Sequence, residues 1–207
     1  MRALIVVDLQ NDFMPGGALG VTDGDAVVAI ANRLMPLFEC VVATQDWHPA
    51  KHGSFAAQHP GRNPGEQIEL DGLQQVLWPT HCVQRSDGAA FHRQLDVAAI
   101  GRVFTKGEDP RVDSYSGFFD NGRRRATGLD DYLRSVGADE VYVLGLATDY
   151  CVKFTALDAQ SLGFRTKLIA DGCRAVNLRP EDGAAAINEM IAAGIELVAS
   201  TQIGGAE

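Results

Sequence analysis

Cys151 stands where two hydrophobic patterns meet. Before it, Val141, Tyr142, Val143 and Leu144 are strand formers; after it, Val152, Thr155, Ala156, Ala159 and Leu162 recur at helical spacing, with Gly163 as a stop. Thr148 or Asp149 is placed to cap that helix, which puts Cys151 in its first turn. Unpaired backbone N–H groups there favour a thiolate, the nucleophilic form of the side chain. The local sequence alone also allows a small buried core residue. Three further reactive residues close apolar runs: Asp8 ends 3–9, Asp46 ends 40–46 and Lys106 ends 101–106. In open parallel sheets ligands collect beyond the carboxyl ends of the strands. A carboxylate, an ammonium and a thiol at such ends can together carry nucleophilic chemistry.

A second constellation begins at Asp46-Trp47-His48. Residues i and i+2 of an extended chain point the same way, so this carboxylate and imidazole can reach one cation. His81, within Trp78-Pro79-Thr80-His81-Cys82, can close the site from the far end of the following loop. Asp plus two His, with water in the open positions, suits Fe²⁺, Mn²⁺ or Zn²⁺. His52 is either a fourth ligand or a residue beside the site or on the surface, and the second reading is adopted. His59 and His92 are not expected to be ligands. Cys82 adjoins His81 but points away from it in extended chain.

These residues need elements to hold them. Strand patterns cover 3–9, 40–46, 101–106, 140–146, 166–171 and 195–199. Helical patterns cover 25–38, 129–137, 150–162 and a last stretch that Pro180 can begin and Gly194 end. Strands apolar on both faces and alternating with helices predict an α/β chain with a six-stranded parallel sheet. Residues 10–24 read as a loop, and 204–207 as a frayed tail. No linker divides the chain, so residues 1–207 are expected to form one domain with a metal-binding insertion at about 46–100. Both tryptophans and all five histidines fall in that insertion, which argues against its being disordered.

Composition narrows the function. Apolar residues make up 46 % of the 207, too many for a disordered chain. A net charge of −9 repels phosphate backbones and argues against nucleic acid as a partner. No apolar run approaches the roughly 18–20 residues of a membrane span. The start lacks the apolar region and cleavage site of a signal peptide. Cys40, Cys82, Cys151 and Cys173 form no CxxC pair, and a reducing cytoplasm is expected. Neither GxGxxG nor GxxxxGK[ST] occurs, which argues against a nucleotide-dependent oxidoreductase.

Six stretches together resemble one family: Val7-Asp8-Leu9-Gln10-Asn11-Asp12-Phe13, Thr44-Gln45-Asp46-Trp47-His48-Pro49, Trp78-Pro79-Thr80-His81-Cys82-Val83, Lys106-Gly107, Asp113-Ser114-Tyr115-Ser116 and Gly145-Leu146-Ala147-Thr148-Asp149-Tyr150-Cys151-Val152. The chain resembles the nicotinamidases (pyrazinamidases) of the isochorismatase-like cysteine hydrolases from about residue 3 to 200. That resemblance implies a three-layer α-β-α, Rossmann-like fold and a triad of Asp8, Lys106 and Cys151. It implies one divalent metal (Zn, Fe or Mn) on Asp46, His48 and His81. It implies a cis peptide before Ala147, an oxyanion hole from the amides of Ala147 and Cys151, and a substrate pocket of Phe13, Trp78, Leu146 and Ala147. The implied reaction is hydrolysis of nicotinamide, and of pyrazinamide, through a Cys thioester in NAD salvage. A homodimer is left open. The rivals are a metal-independent amidase of the same fold and a non-catalytic binding domain with a relic pocket.

Overall fold

The structure is a computed structural model and describes residues 1–204. Its centre is β1 (Arg2–Val7), in which every side chain from Ala3 onward is buried. The other sheet strands are β2 (Cys40–Asp46), β5 (Arg102–Lys106), β6 (Glu140–Leu146), β7 (Arg165–Arg174) and β8 (Glu196–Val198). They lie in the order β5-β2-β1-β6-β7-β8, all parallel. From β1 the chain builds outward through β2 to β5, then returns to the other side of β1 with β6. The order therefore reverses between β1 and β6, and ligand crevices form at such reversals. Helices α1 (Ala26–Leu34), α2 (Leu129–Ser135), α3 (Lys153–Ser161) and α4 (Asp182–Ala192) cover the sheet. Among the described residues no helix is long and apolar enough to cross a membrane.

The six expected strands and the parallel class are present. The differences have local causes. The 166–171 strand runs on to Arg174, because a register shift opposite Val143 and Gly145 lets β7 keep pairing with β6. The helix after β6 does not start at 150: Thr148–Val152 form a π-turn, and α3 follows at Lys153. Residues 205–207 of the expected frayed tail lie outside the described residues. The insertion carries a two-stranded antiparallel hairpin, β3 (Gln67–Leu70) and β4 (Leu73–Val76). Its turn is Asp71-Gly72, both at positive φ (50° and 82°), the geometry that Asp-Gly turns favour.

Two devices register the strand ends. A Cβ at Gly145 would lie 2.1 Å from the Val7 carbonyl oxygen, so only glycine lets β6 end this close to β1. Gln10 is fully buried: its Nε2 donates to the carbonyls of Asp46 (2.8 Å) and Ala89 (2.9 Å), while its Oε1 accepts from the Asp46 amide (2.8 Å). The loop after β1 is thereby bonded to the end of β2.

Candidate active site

Asp8, Lys106 and Cys151 meet at the reversal of the sheet. Lys106 Nζ lies 2.8 Å from Asp8 Oδ2 and 3.4 Å from Cys151 Sγ, donates to the Ser114 carbonyl at 3.1 Å, and pairs with Asp46. All four side chains are buried. Thr44 Oγ1 donates to Asp8 Oδ1 at 2.6 Å. Beyond the Lys106 ammonium, no described residue bonds Asp8 Oδ2. A carboxylate oxygen of Asp8, one of Asp46 and Cys151 Sγ all lie within 4.8 Å of one another. Asp8 thus keeps a lone pair beside the thiol.

Electrostatics limits the charge this cluster can hold. Burial works against the Lys106 ammonium, but Asp46 and Asp8 outweigh it and hold its pKa well above the ordinary lysine range. Burial works against the Asp46 carboxylate, but Lys106 and His48 outweigh it and hold its pKa well below. For Asp8 burial prevails: with Asp46 adding to it and Lys106 opposing, its carboxyl is raised. Burial also pushes the Cys151 thiol well up, against the pull of Lys106. A second uncompensated negative charge is costly in a buried site. Burial thus favours the protonated form of both Asp8 and Cys151, and Lys106 opposes it at both. Burial works against the thiolate that helix N–H groups favour.

The turn that carries Cys151 differs from the expected capped helix. Neither Thr148 nor Asp149 caps it by a side-chain hydrogen bond. The Asp149 carboxylate instead accepts from the amides of Val176 (2.9 Å) and Asn177 (2.8 Å), tying the turn to the segment after β7. The Ala147 carbonyl accepts from Tyr150 and Val152, at 3.1 Å each. The Leu146–Ala147 peptide is cis, as the resemblance implied.

Asp46, His48 and His81 bring one ligand atom each to within 4.8 Å of one another. His48 Nδ1 bonds the Gly107 carbonyl (2.9 Å) and His81 Nδ1 the Pro79 carbonyl (2.8 Å). A carbonyl only accepts, so both Nδ1 atoms carry a proton, and both rings turn Nε2 toward Asp46. Those Nε2 atoms lie 3.4 and 3.7 Å from Asp46 Oδ2. Two imidazoles that present Nε2 to one point and one carboxylate held in its ionised form fit a divalent cation. A Cβ at Gly107, whose φ is +68°, would lie 2.3 Å from the His48 ring. His52 is neither in this group nor at the surface: it is fully buried, with Nδ1 turned to the hydroxyl (2.7 Å) and amide (3.2 Å) of Ser54. His59 Nε2 bonds the Gly53 carbonyl at 2.7 Å. Cys82 is buried in the core, where desolvation and the Asp46 and Asp8 carboxylates push its thiol well up.

Between the two clusters lies a narrow cleft lined by Phe13, Trp78, His81, Tyr115, Ala147, Tyr150 and Cys151. Phe13, Trp78 and Ala147, named from the resemblance, line this cleft. Leu146 does not. Its side chain is fully buried in the core, where a Cβ at Gly24 would lie 3.1 Å from its Cδ1. Alternation along β6 turns it away from the cleft, and it reaches the site only through its peptide bond to Ala147.

The isochorismatase domain family matches residues 2–202. The chain belongs to the isochorismatase family. Within it, the nicotinamidase of Escherichia coli is 59 % identical over 200 residues, spanning 95 % of this chain and 93 % of that protein. The yeast nicotinamidase bound to the inhibitor nicotinaldehyde is 33 % identical, with a TM-score of 0.91 over 96 % of this chain and 100 % of that one. The pyrazinamidase of Pyrococcus horikoshii in complex with zinc is 39 % identical, with a TM-score of 0.78 over 96 % and 98 % of the two chains.

Sequence reasoning passed over several residues that hold this isochorismatase-family site together. Thr44 and Gln10 fix Asp8 and Asp46. Asp12 Oδ2 accepts from the Cys82 amide at 2.7 Å, next to His81. Asp113 is buried at the cleft wall. Gln10, Asp12 and Asp113 sit inside the stretches that carried the resemblance, so those stretches preserve scaffolding as well as reactive groups.

Proposed function

We propose that this protein hydrolyses nicotinamide to nicotinate and ammonia, and pyrazinamide to pyrazinoate, through a thioester on Cys151, and so returns nicotinamide to NAD salvage in the cytoplasm. One observation carries the reading: a thiol in contact with a buried ammonium and a lone-pair-bearing carboxylate, at the floor of an aromatic cleft beside an Asp-His-His group. The nicotinamide ring lies between Phe13 and Trp78, and its carboxamide faces Cys151. Asp8 takes the thiol proton as sulfur attacks the carbonyl carbon. Lys106 balances one negative charge, which passes from Asp8 to the carbonyl oxygen as sulfur bonds carbon and returns to Asp8 when the C–N bond breaks. The amides of Ala147 and Cys151 hold the oxyanion, a role worth about 3–4 kcal/mol per donor. Asp8 passes its proton to the amide nitrogen, the C–N bond breaks and ammonia leaves. Water then attacks the thioester; Asp8 accepts its proton and returns it to sulfur as nicotinate departs. Asp46, His48 and His81 are the residues that would hold a divalent ion (Zn, Fe or Mn). Such an ion, when bound, supplies a Lewis-acidic anchor for the pyridine nitrogen and acidifies water.

The test is ammonia release from nicotinamide by the purified protein, before and after chelation and metal return. Release that falls on chelation and recovers on metal return is expected. Release no faster than that of a Cys151→Ala control would sink the reading.

A further inference from the structure

The Trp78 backbone is fixed by its neighbours: its amide donates to the Ser54 carbonyl (2.8 Å) and its carbonyl accepts from Ala56 (2.9 Å). Its indole is fixed by a different set of groups. Trp78 Nε1 donates to the Tyr115 hydroxyl at 3.1 Å, and the Tyr150 ring meets the indole edge-on at 4.7 Å. The Tyr115 hydroxyl accepts a second hydrogen bond, at 3.0 Å, from Gln75 Nε2. The same nitrogen lies 3.1 Å from Asp113 Oδ2 and 2.7 Å from the Val76 carbonyl. Gln75 is a polar residue in mid-strand of β4 with only 3 % of its surface exposed. Burying an amide is unfavourable unless its hydrogen bonds are made, and here all its donors are engaged. A strand residue that served packing alone would be apolar at this position.

We propose that Gln75 is a positioning residue for substrate: by fixing the Tyr115 hydroxyl it fixes the Trp78 indole, and so sets the width of the slot that admits a flat, single-ring heteroaromatic amide. The β3–β4 hairpin thereby acts on the reaction without touching the reacting atoms. This rests on the function proposed above. The chain of contacts runs Gln75 to Tyr115 to Trp78 and ends on one wall of the cleft. It does not include Asp8, Lys106 or Cys151, so it bears on binding more than on turnover.

The experiment uses Gln75→Met, which keeps length and removes the donors, Tyr115→Phe, which removes the shared oxygen, and the double variant. In the metal-loaded protein each single change is expected to raise the KM for nicotinamide about tenfold, the worth of a buried hydrogen bond, with kcat held within about twofold. In the double variant the two effects should not multiply, because both act through one hydroxyl. The Trp78 indole N–H resonance should shift in both single variants and the Trp47 resonance should stay. That shift reads the network even if nicotinamide were not turned over, so failure of the proposed function is distinguishable from failure of the positioning role. If Gln75→Met does not fold, Tyr115→Phe alone must show the indole shift and the KM rise. An unmoved Trp78 resonance, or KM effects that multiply in the double variant, would overturn the assignment.

Discussion

Asp8 and Asp171 each close an apolar run in the sequence, yet the two halves of the sheet use them in opposite ways. On the β1 side, Asp8 is wholly buried between Thr44, Lys106 and the Cys151 thiol, and its carboxyl is raised, by burial above all. On the β7 side, Asp171 is exposed and accepts from the Ser200 amide (2.7 Å) and hydroxyl (2.5 Å). Arg33 in turn donates to that hydroxyl at 2.6 Å. Partial burial works against the Asp171 carboxylate, but the Ser200 bonds outweigh it and its pKa is lowered. A carboxylate bonded to backbone and hydroxyl donors near the surface fastens the chain; one buried beside a thiol is placed to take a proton. Burial and the hydrogen-bond donors present decide which outcome a strand-end aspartate has.

The contrast can be broken from either side. Cys151→Ala removes the acid that Asp8 serves; turnover should fall by at least about 10⁴-fold while folding and metal content stay nearly intact, as circular dichroism and elemental analysis would read. Wild-type-like ammonia release would remove Cys151 as the nucleophile. Asp8→Asn keeps the shape but not the base, and kcat should drop about 10³-fold, within the usual reach of a general base; a loss of only a few-fold would place the proton elsewhere. His48→Ala should lower bound metal and raise the KM for nicotinamide about tenfold or more. Unchanged metal by elemental analysis would remove His48 from the ligand set.

The smallest effect belongs to the fastening half. Ser200→Ala should cost about 0.5–1 kcal/mol of stability at neutral pH, the low figure reflecting exposure of Asp171, with kcat unchanged. The folded pKa of Asp171 is depressed, so its contribution is present above the unfolded value of 3.8 and is lost as pH falls through the folded one. Melting curves of the variant and the parent should therefore converge in acid. A gap that persists below that range would detach the effect from Asp171.

Strand ends were readable because a strand buried on both faces appears as an unbroken apolar run, and the first charge marks where it leaves the core. Asp171 shows where that rule fails: β7 runs three residues beyond it, pairing again with β6 at Cys173 and Arg174, and only the sheet registers that continuation. The Asp-His-His group was readable because spacing fixes two of its members and one loop supplies the third. The role of His52 was not, since Ser54 decides which way its ring faces. The β3–β4 hairpin carried a signal in Asp71-Gly72, but its strands are four residues each and half polar, below what alternation alone can distinguish from loop. Leu146 shows that a motif identifies a segment without saying which of its side chains turn inward. Gln75 was invisible for a related reason: a buried glutamine and a solvated one look the same in sequence.

Lys106 and Gly107 are consecutive, and the ammonium of one faces the sulfur while the carbonyl of the other fixes the His48 ring. A single peptide unit thus spans both halves of the centre. Any slip of this strand end by a fraction of an ångström would be felt at the thiol and at the imidazole together, so neither can be retuned alone. The bulk forbidden at Gly107 guards that shared hinge point, and even an added methyl there should disturb ion affinity and sulfur reactivity in step.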